Sequence, residues 1–252
     1  MKAQGLLKGQ PVSLHVLDYG LFRVHSGPRV IGLCGYLITT DAAERILVDS
    51  GMPAKYADDA VAAGQEDGLD SFGHVVSLTP DNLPGAQLAR CGVSLTDITH
   101  IIQTHTHIDH IGGLDLCPHA PMIIAAAERA LPKPLYWTGG QPMEWPKRAF
   151  VELDKDTTLG PGIELLLCPG HTPGQLAIAM TLPETGAVLL TSDAISRPED
   201  VVEGFAGSWD AAQAQHHGTR LLARAEDTQA FVIYGHCPDQ WSTLRKAPDC
   251  YR

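Results

Sequence analysis

Hydrophobic and polar positions change their period several times along this chain, and the changes separate strand-forming from helix-forming segments. Residues 14–17, 35–39 and 45–48 are rich in branched apolar side chains and read as strands. The last two flank the polar residues 40–44, which predicts a hairpin ending at Asp49-Ser50-Gly51 on a sheet rim. From Gly64 to Pro84 no period persists, and frequent Gly, Asp, Ser and Pro predict loop. Residues 83–91 predict a short helix closed by Gly92, and residues 98–103 a buried strand. A second irregular stretch, 132–146, holds four prolines, two glycines and the aromatics Tyr136, Trp137 and Trp145. Strands are expected again at 163–167, 176–181 and 188–191. Residues 209–225 carry the period of an amphipathic helix, and 230–234 form a last buried strand.

One pattern occurs twice. Tyr36-Leu37-Ile38 followed by Ile46-Leu47-Val48-Asp49-Ser50 is echoed by Ala177-Ile178-Ala179 followed by Leu189-Leu190-Thr191-Ser192-Asp193. Two similar halves packed face to face would produce the echo, and so would a chance likeness of hairpins.

Composition narrows the class. A chain of 252 residues, 44% hydrophobic and 19% charged, has the make-up of a soluble globular protein with a sizeable core. We expect residues 1–252 to form a single α/β domain. Eighteen Lys+Arg against 29 Asp+Glu give a net charge of −11. With no Lys/Arg-rich run, nucleic acid is not an expected partner. No stretch approaches the ~18 apolar residues of a membrane span, and the first ten residues lack the apolar core of a signal peptide. The six cysteines are scattered without a Cys-x-x-Cys pair, so reduced thiols and a cytoplasmic location are expected.

Candidate chemistry begins where the strand at 98–103 ends. Thr104-His105-Thr106-His107-Ile108-Asp109-His110-Ile111-Gly112-Gly113 places three histidines and an aspartate within six positions. A strand end turning into a helix can aim His105 and His107 at one centre and Asp109 and His110 at a neighbour. Gly112-Gly113 is read as the sharp turn. Neutral imidazole and carboxylate are the donors that zinc and similar metals take. Three further ligand types follow predicted strands: His171 in Gly-His-Thr-Pro-Gly, Asp193, and His236 in Tyr-Gly-His. Strand C-terminal rims are where open α/β sheets carry their sites. The remaining histidines lack this pattern and read as structural or surface residues.

Taken together, the His-x-His-x-Asp-His run, Gly-His-Thr-Pro-Gly, the strand-end Asp and the late Gly-His resemble the metallo-β-lactamase superfamily over about residues 30–240. The resemblance implies an αβ/βα four-layer sandwich with a two-metal site along one edge. It would place one metal, zinc or else iron, manganese or cobalt, on His105, His107 and His171. The second would sit on Asp109, His110 and His236, with Asp193 bridging the two.

Within that superfamily, classical β-lactamases lack the bridging Asp, and flavodiiron proteins carry an acidic ligand where His107 stands. The chain is most similar to the group of N-acyl homoserine lactonases, the quorum-quenching enzymes. The likeness rests on Ile46-Leu47-Val48-Asp49-Ser50-Gly51-Met52-Pro53, on the His-rich run, on Phe205-Ala206-Gly207 and on the segment after His236. It implies hydrolysis of a small lactone. Two cations about 3.5–4 Å apart would hold a bridging hydroxide at neutral pH, and Asp109 would either pass its proton to the leaving oxygen or serve as a ligand alone. One departure matters: many of these lactonases have a tyrosine three residues after the bridging Asp, and this chain has Ser196. Phe22, Tyr136, Trp137, Trp145, Ser196 and Phe205 are the candidate substrate-binding residues. The alternatives are hydrolysis of another ester, thioester or cyclic amide at the same site, or metal binding without catalysis, for which a lost ligand would be the sign; all seven are present.

Overall fold

The computed structural model describes residues 3–27, 29–137 and 140–252. Its first sheet is built from β1 (Pro11–Val24), β2 (Arg29–Thr40), β3 (Arg45–Val48), β4 (Gly73–Ser77), β5 (His100–Ile102), β6 (Met122–Ala125) and β7 (Phe150–Leu153), in the order β4-β1-β2-β3-β5-β6-β7. The second contains β8 (Thr157–Gly160), β9 (Ile163–Leu167), β10 (Leu176–Leu182), β11 (Gly186–Ser192) and β12 (Phe231–Tyr234), in the order β12-β11-β10-β9-β8.

Alternation along the strands explains why the two sheets stack. Tyr36 and Ile38 of β2 and Val188 and Leu190 of β11 point into a core shared by both sheets, where Ile46, Val48, Leu165 and Ile178 join them. Leu37 and Leu47 face the other way, onto α1 (Lys55–Asp58), α2 (Ala60–Asp67) and α3 (Pro84–Arg90), through Tyr56, Ala63 and Leu88. Two further one-turn helices, α4 (Ala126–Arg129) and α5 (Asp200–Glu203), precede α6 (Ala211–Thr228), and α7 (Pro238–Trp241) follows it. Leu189 packs under α6, against Ala214, Leu221 and Ala225. Burial on both faces is why these strands read as continuous apolar runs. The result is the expected helix–sheet–sheet–helix sandwich.

The buried positions of α6, Ala214, Gly218, Leu221 and Ala225, repeat at helical spacing. The helix starts at Ala211, two residues later than the polar pattern predicts, and is capped by Asp210, whose side chain accepts from the Gln213 N–H. The stretch 64–84 departs from its loop reading. It holds the end of α2 and the edge strand β4, which among the described residues pairs only with β1 and leaves His74, Val76 and Ser77 exposed. An edge strand that buries little beyond Gly73 and part of Val75 shows no clear alternation. Strands β6 to β8 were likewise not anticipated from the pattern.

The repeated pattern corresponds to two antiparallel hairpins, β2–β3 and β10–β11, in opposite sheets. Each is followed by a parallel neighbour, β5 beside β3 and β12 beside β11. Each also exits through a non-glycine residue with positive φ, Asp49 at +56° and Ser192 at +46°. Such backbone persists where the surroundings fix it. Here Thr104 Oγ1 does so, donating to or accepting from Ser192 Oγ at 2.9 Å and lying 2.7 Å from Asp49 Oδ2. No helix among the described residues is long and apolar enough to cross a membrane.

Candidate metal centre

Because β3 and β5 run parallel, as do β11 and β12, and β9 and β11 share an antiparallel neighbour, the exits within each sheet fall on one side, and the convergence of His105, His107 and His171 puts both sets on one edge of the sandwich. The ligand run leaves β5 there. Asp49 pins its start: the carboxylate accepts from Thr104 N at 2.8 Å and from Gln103 Nε2 at 3.0 Å. The same Gln103 amide donates to the carbonyls of His105 and His110 at 2.7 and 3.0 Å, folding the run back on itself. Gly112 serves a close approach more than a turn: a Cβ there would collide with the backbone of Met52 and Pro53.

The structure brings all seven predicted ligand side chains together. Their donor atoms fall into three overlapping groups: His105, His107 and His171; His105, His110 and Asp193; and Asp109, His110 and His236. Within each, all atoms lie within 4.8 Å of one another. Asp193 stands between the outer two. Its Oδ2 is 3.4 Å from His171 Nε2, and its Oδ1 is 3.4 Å from His110 Nε2 and 3.2 Å from His236 Nε2. Asp109 Oδ2 lies 3.4 Å from His236 Nε2 and 3.6 Å from His110 Nε2. His107 turns Nδ1 toward His171 Nε2, 2.9 Å away.

Outer partners fix the ring orientations. His110 Nδ1 meets Asp49 Oδ2 at 2.8 Å, His236 Nδ1 meets the Gly32 carbonyl at 3.0 Å, and His105 Nδ1 meets Thr104 Oγ1 at 3.1 Å. Such partners set the tautomer and leave the opposite nitrogen free to ligate. His105 Nε2, His110 Nε2 and Asp193 Oδ1 are buried without a hydrogen-bond partner. Leaving a buried polar atom so costs about 1–3 kcal/mol, a cost that cations bound between the groups would remove. The donor set therefore fits a pair of divalent metals.

The charges divide along the same line. Burial, reinforced by His110, holds His105 well below the usual imidazole range, and burial with His171 beside it takes His107 down to about 3. His171 is also lowered, chiefly by burial. At the other end burial is overcome: Asp109, Asp193 and Asp49 hold His110 well above its ordinary value. Asp193 and then Asp109 raise His236 to about 9. Against its own burial, Asp193 is held well below the carboxylate range by His236 and His110. One triad thus presents neutral imidazoles and the other a carboxylate-rich pocket.

No cysteine joins these groups. Cys168 is buried among Leu166, Ala177 and Leu189 under α6, with Sγ 3.4 Å from the Leu166 carbonyl. Burial pushes the Cys34 thiol up to about 12. None of the other seven histidines belongs to a ligand group among the described residues.

The predicted substrate-binding residues fall into different surroundings. Tyr136 and Trp137 adjoin the ligand run: Tyr136 N donates to the Thr106 carbonyl at 2.8 Å, and Ile108 N to the Tyr136 carbonyl at 2.9 Å. The Tyr136 hydroxyl is held by Asp67 at 2.9 Å. Trp137 faces Phe72 with ring centroids 4.9 Å apart, and Phe22 stacks behind Phe72 at 6.1 Å. Ser196, half-buried, accepts the His236 N–H at 2.8 Å through its carbonyl. Phe205 packs its ring over Gly218 in the core beneath α6. Trp145 meets Phe150 edge-on and carries the Arg129 guanidinium 4.8 Å over its ring. The contacts of these last two are packing contacts.

Two residues of this region were not foreseen. Asp49 was read as a hairpin end and as part of the Ile46–Pro53 likeness but given no role at the site, although its echo at Ser192-Asp193 was a usable signal. Glu128, in an Ala-Ala-Ala-Glu-Arg run, gave no signal, since a glutamate in such a segment ordinarily faces water.

Residues 34–236 match the family model described as Metallo-beta-lactamase superfamily. The N-acyl homoserine lactonase AttM of Azorhizobium caulinodans is 30% identical over 184 residues, covering 66% of this chain and 68% of its own. The N-acyl homoserine lactonase AiiA of Bacillus thuringiensis subsp. kurstaki is 29% identical over 219 residues, 85% of this chain and 84% of its own. Among solved structures, an N-acyl homoserine lactone hydrolase with N-hexanoyl-L-homoserine at its catalytic metal centre superposes with a TM-score of 0.82 at 24% identity. That match covers 97% of this chain and 100% of the other. AidC, a dizinc quorum-quenching lactonase, superposes with a TM-score of 0.65 at 20% identity, over 93% and 92% of the two chains.

Proposed function

The chain belongs to the metallo-β-lactamase superfamily, and we propose that within it the protein is a binuclear metal-dependent hydrolase that opens small lactone rings. The observation that carries this reading is the convergence of seven ligand side chains in two triads around Asp193, with buried Nε2 atoms otherwise unpartnered. The substrate class is supported by the relatives named N-acyl homoserine lactonase.

In this reading His105, His107 and His171 hold one cation, Asp109, His110 and His236 the other, and Asp193 serves both. Zinc is the proposed metal, because the donors are imidazole and carboxylate without thiolate. When bound, the pair supplies Lewis acidity for the lactone carbonyl and a water acidified to about pKa 7 as nucleophile. The remaining work falls to side chains. Asp109 has 20% of its side-chain surface open, against 9% for Asp193 and His236. It is thus the carboxylate able to meet both the attacking water and the leaving alkoxide, and it carries the proton between them. Tyr136, hydrogen-bonded through its backbone to the ligand run, and Trp137 beside it are the residues we assign to the substrate approach near His107.

Ser196 bears on the second reading. A serine hydroxyl is too short to reach a carbonyl that a tyrosine at this position would contact, so this chain lacks one oxyanion donor. Such a donor is worth about 2.7–4 kcal/mol where it acts. Small or activated lactones are therefore the favoured substrates, with other esters, thioesters or cyclic amides as the rival class. A substrate panel on the metal-loaded protein decides between them. Hydrolysis of small lactones is expected; strong thioester or phosphodiester turnover with every lactone inert would overturn the lactonase reading and leave the metal site standing.

A further inference from the structure

Glu128 is a fully buried carboxylate on the one-turn helix α4, directly after β6. Its Oε1 accepts from Thr106 N at 2.8 Å and from Thr106 Oγ1 at 2.6 Å, and its Oε2 accepts from Gly174 N at 3.1 Å. No salt bridge to it is present among the described residues. Burying a carboxylate against neutral donors alone is costly, so the arrangement calls for a reason.

The reason lies in what the donors belong to. Thr106 sits between His105 and His107, on the run leaving the first sheet. Gly174 closes the Gly-His-Thr-Pro-Gly loop that carries His171 between β9 and β10 of the second sheet. Glu128 therefore ties together the two loops that supply one triad, His105, His107 and His171. The second triad is braced by different groups, the Asp49 carboxylate on His110 and the Gly32 carbonyl on His236. The seam is close: a Cβ on Gly174 would stand 2.5 Å from Glu128 Cβ and 2.6 Å from its backbone nitrogen. Thr106 Oγ1 also accepts from Leu135 N at 3.0 Å, which extends the tether to the segment bearing Tyr136.

We propose that Glu128 is a positioning residue for a single metal, setting the spacing of His105 and His107 against His171 by accepting hydrogen bonds from both of their loops. This rests on the reading of the two triads as metal sites. Both carboxylate oxygens are needed, because all three donors point at them. An amide of the same shape would turn an N–H2 group toward either Gly174 or Thr106 and break the tether on that side.

The test uses Co2+ titration of the whole chain against a chelator, in two backgrounds that each retain one triad. In His236→Ala, which keeps the three-histidine triad, Glu128→Gln is expected to weaken Co2+ binding 10–100-fold, the usual cost of losing an outer-shell partner. In His171→Ala, which keeps Asp109, His110 and His236, the same change should leave affinity unchanged. Equal weakening in both backgrounds, or none in either, would assign Glu128 to general stability and overturn the proposal. Should Glu128→Gln fail to fold, Gly174→Ala opens the same seam and is read by the same two outcomes. A wild-type chain that binds no Co2+ at all would instead overturn the metal-site reading, which the two backgrounds keep separate from this one.

Discussion

Asp49 concentrates more of the site's geometry than any ligand does. Its two oxygens receive Thr104 N, Thr104 Oγ1, Gln103 Nε2 and His110 Nδ1, so one buried side chain fixes both the start of the ligand run and the ring of its last histidine. Asp49→Asn places an N–H2 group against at least one of those donors. We expect the affinity of the metal proposed at His110 to fall about 10–100-fold, as read by chelator competition; unchanged affinity would show that His110 is oriented without it. Ser196→Tyr is the opposite kind of change. It should raise kcat/KM for N-acyl homoserine lactones more than for small lactones, by up to the roughly 100–1,000-fold that one oxyanion donor is worth, and equal gains on both would show that Ser196 does not set specificity. The candidate ligands were legible because their residue types allow little other chemistry in such density, and the structure brings their side chains together. Glu128 and Asp49 were not, because a single carboxylate shows its purpose only through the backbone groups that surround it.

Elements were readable in proportion to how one-sided their burial is. The stripe Ala214, Gly218, Leu221, Ala225 made α6 plain, whereas β4, exposed along most of its length, carried no period. All four residues of β6 are buried, and the run continues into Ala126-Ala127, so periodicity could not separate strand from helix there. The packing of α6 gives a direct check. Leu221→Ala empties a position that is 1% exposed beneath the second sheet and should cost about 2–5 kcal/mol. Denaturant unfolding should show that loss with turnover per folded molecule unchanged. A fall in turnover with stability intact would mean that α6 bears on the site directly.

At the scale of the molecule, the candidate centre is a clasp between the sheets. His105, His107, Asp109 and His110 come from the first sheet, and His171, Asp193 and His236 from the second. We read the chain as one folding unit for that reason, and expect a single thermal transition. A metal bound about 1,000-fold above its Kd adds about 4 kcal/mol of stability, so chelation should lower the melting temperature of a chain this size by roughly 10 °C. Two transitions, only one of them metal-sensitive, would divide the sandwich into separate units. The most direct test of the account is to titrate the metal-stripped chain with Zn2+ while following hydrolysis of a small lactone. Activity should climb until two equivalents per chain are bound and then level off; saturation at one equivalent, or a fully loaded chain inert toward lactones, would contradict it.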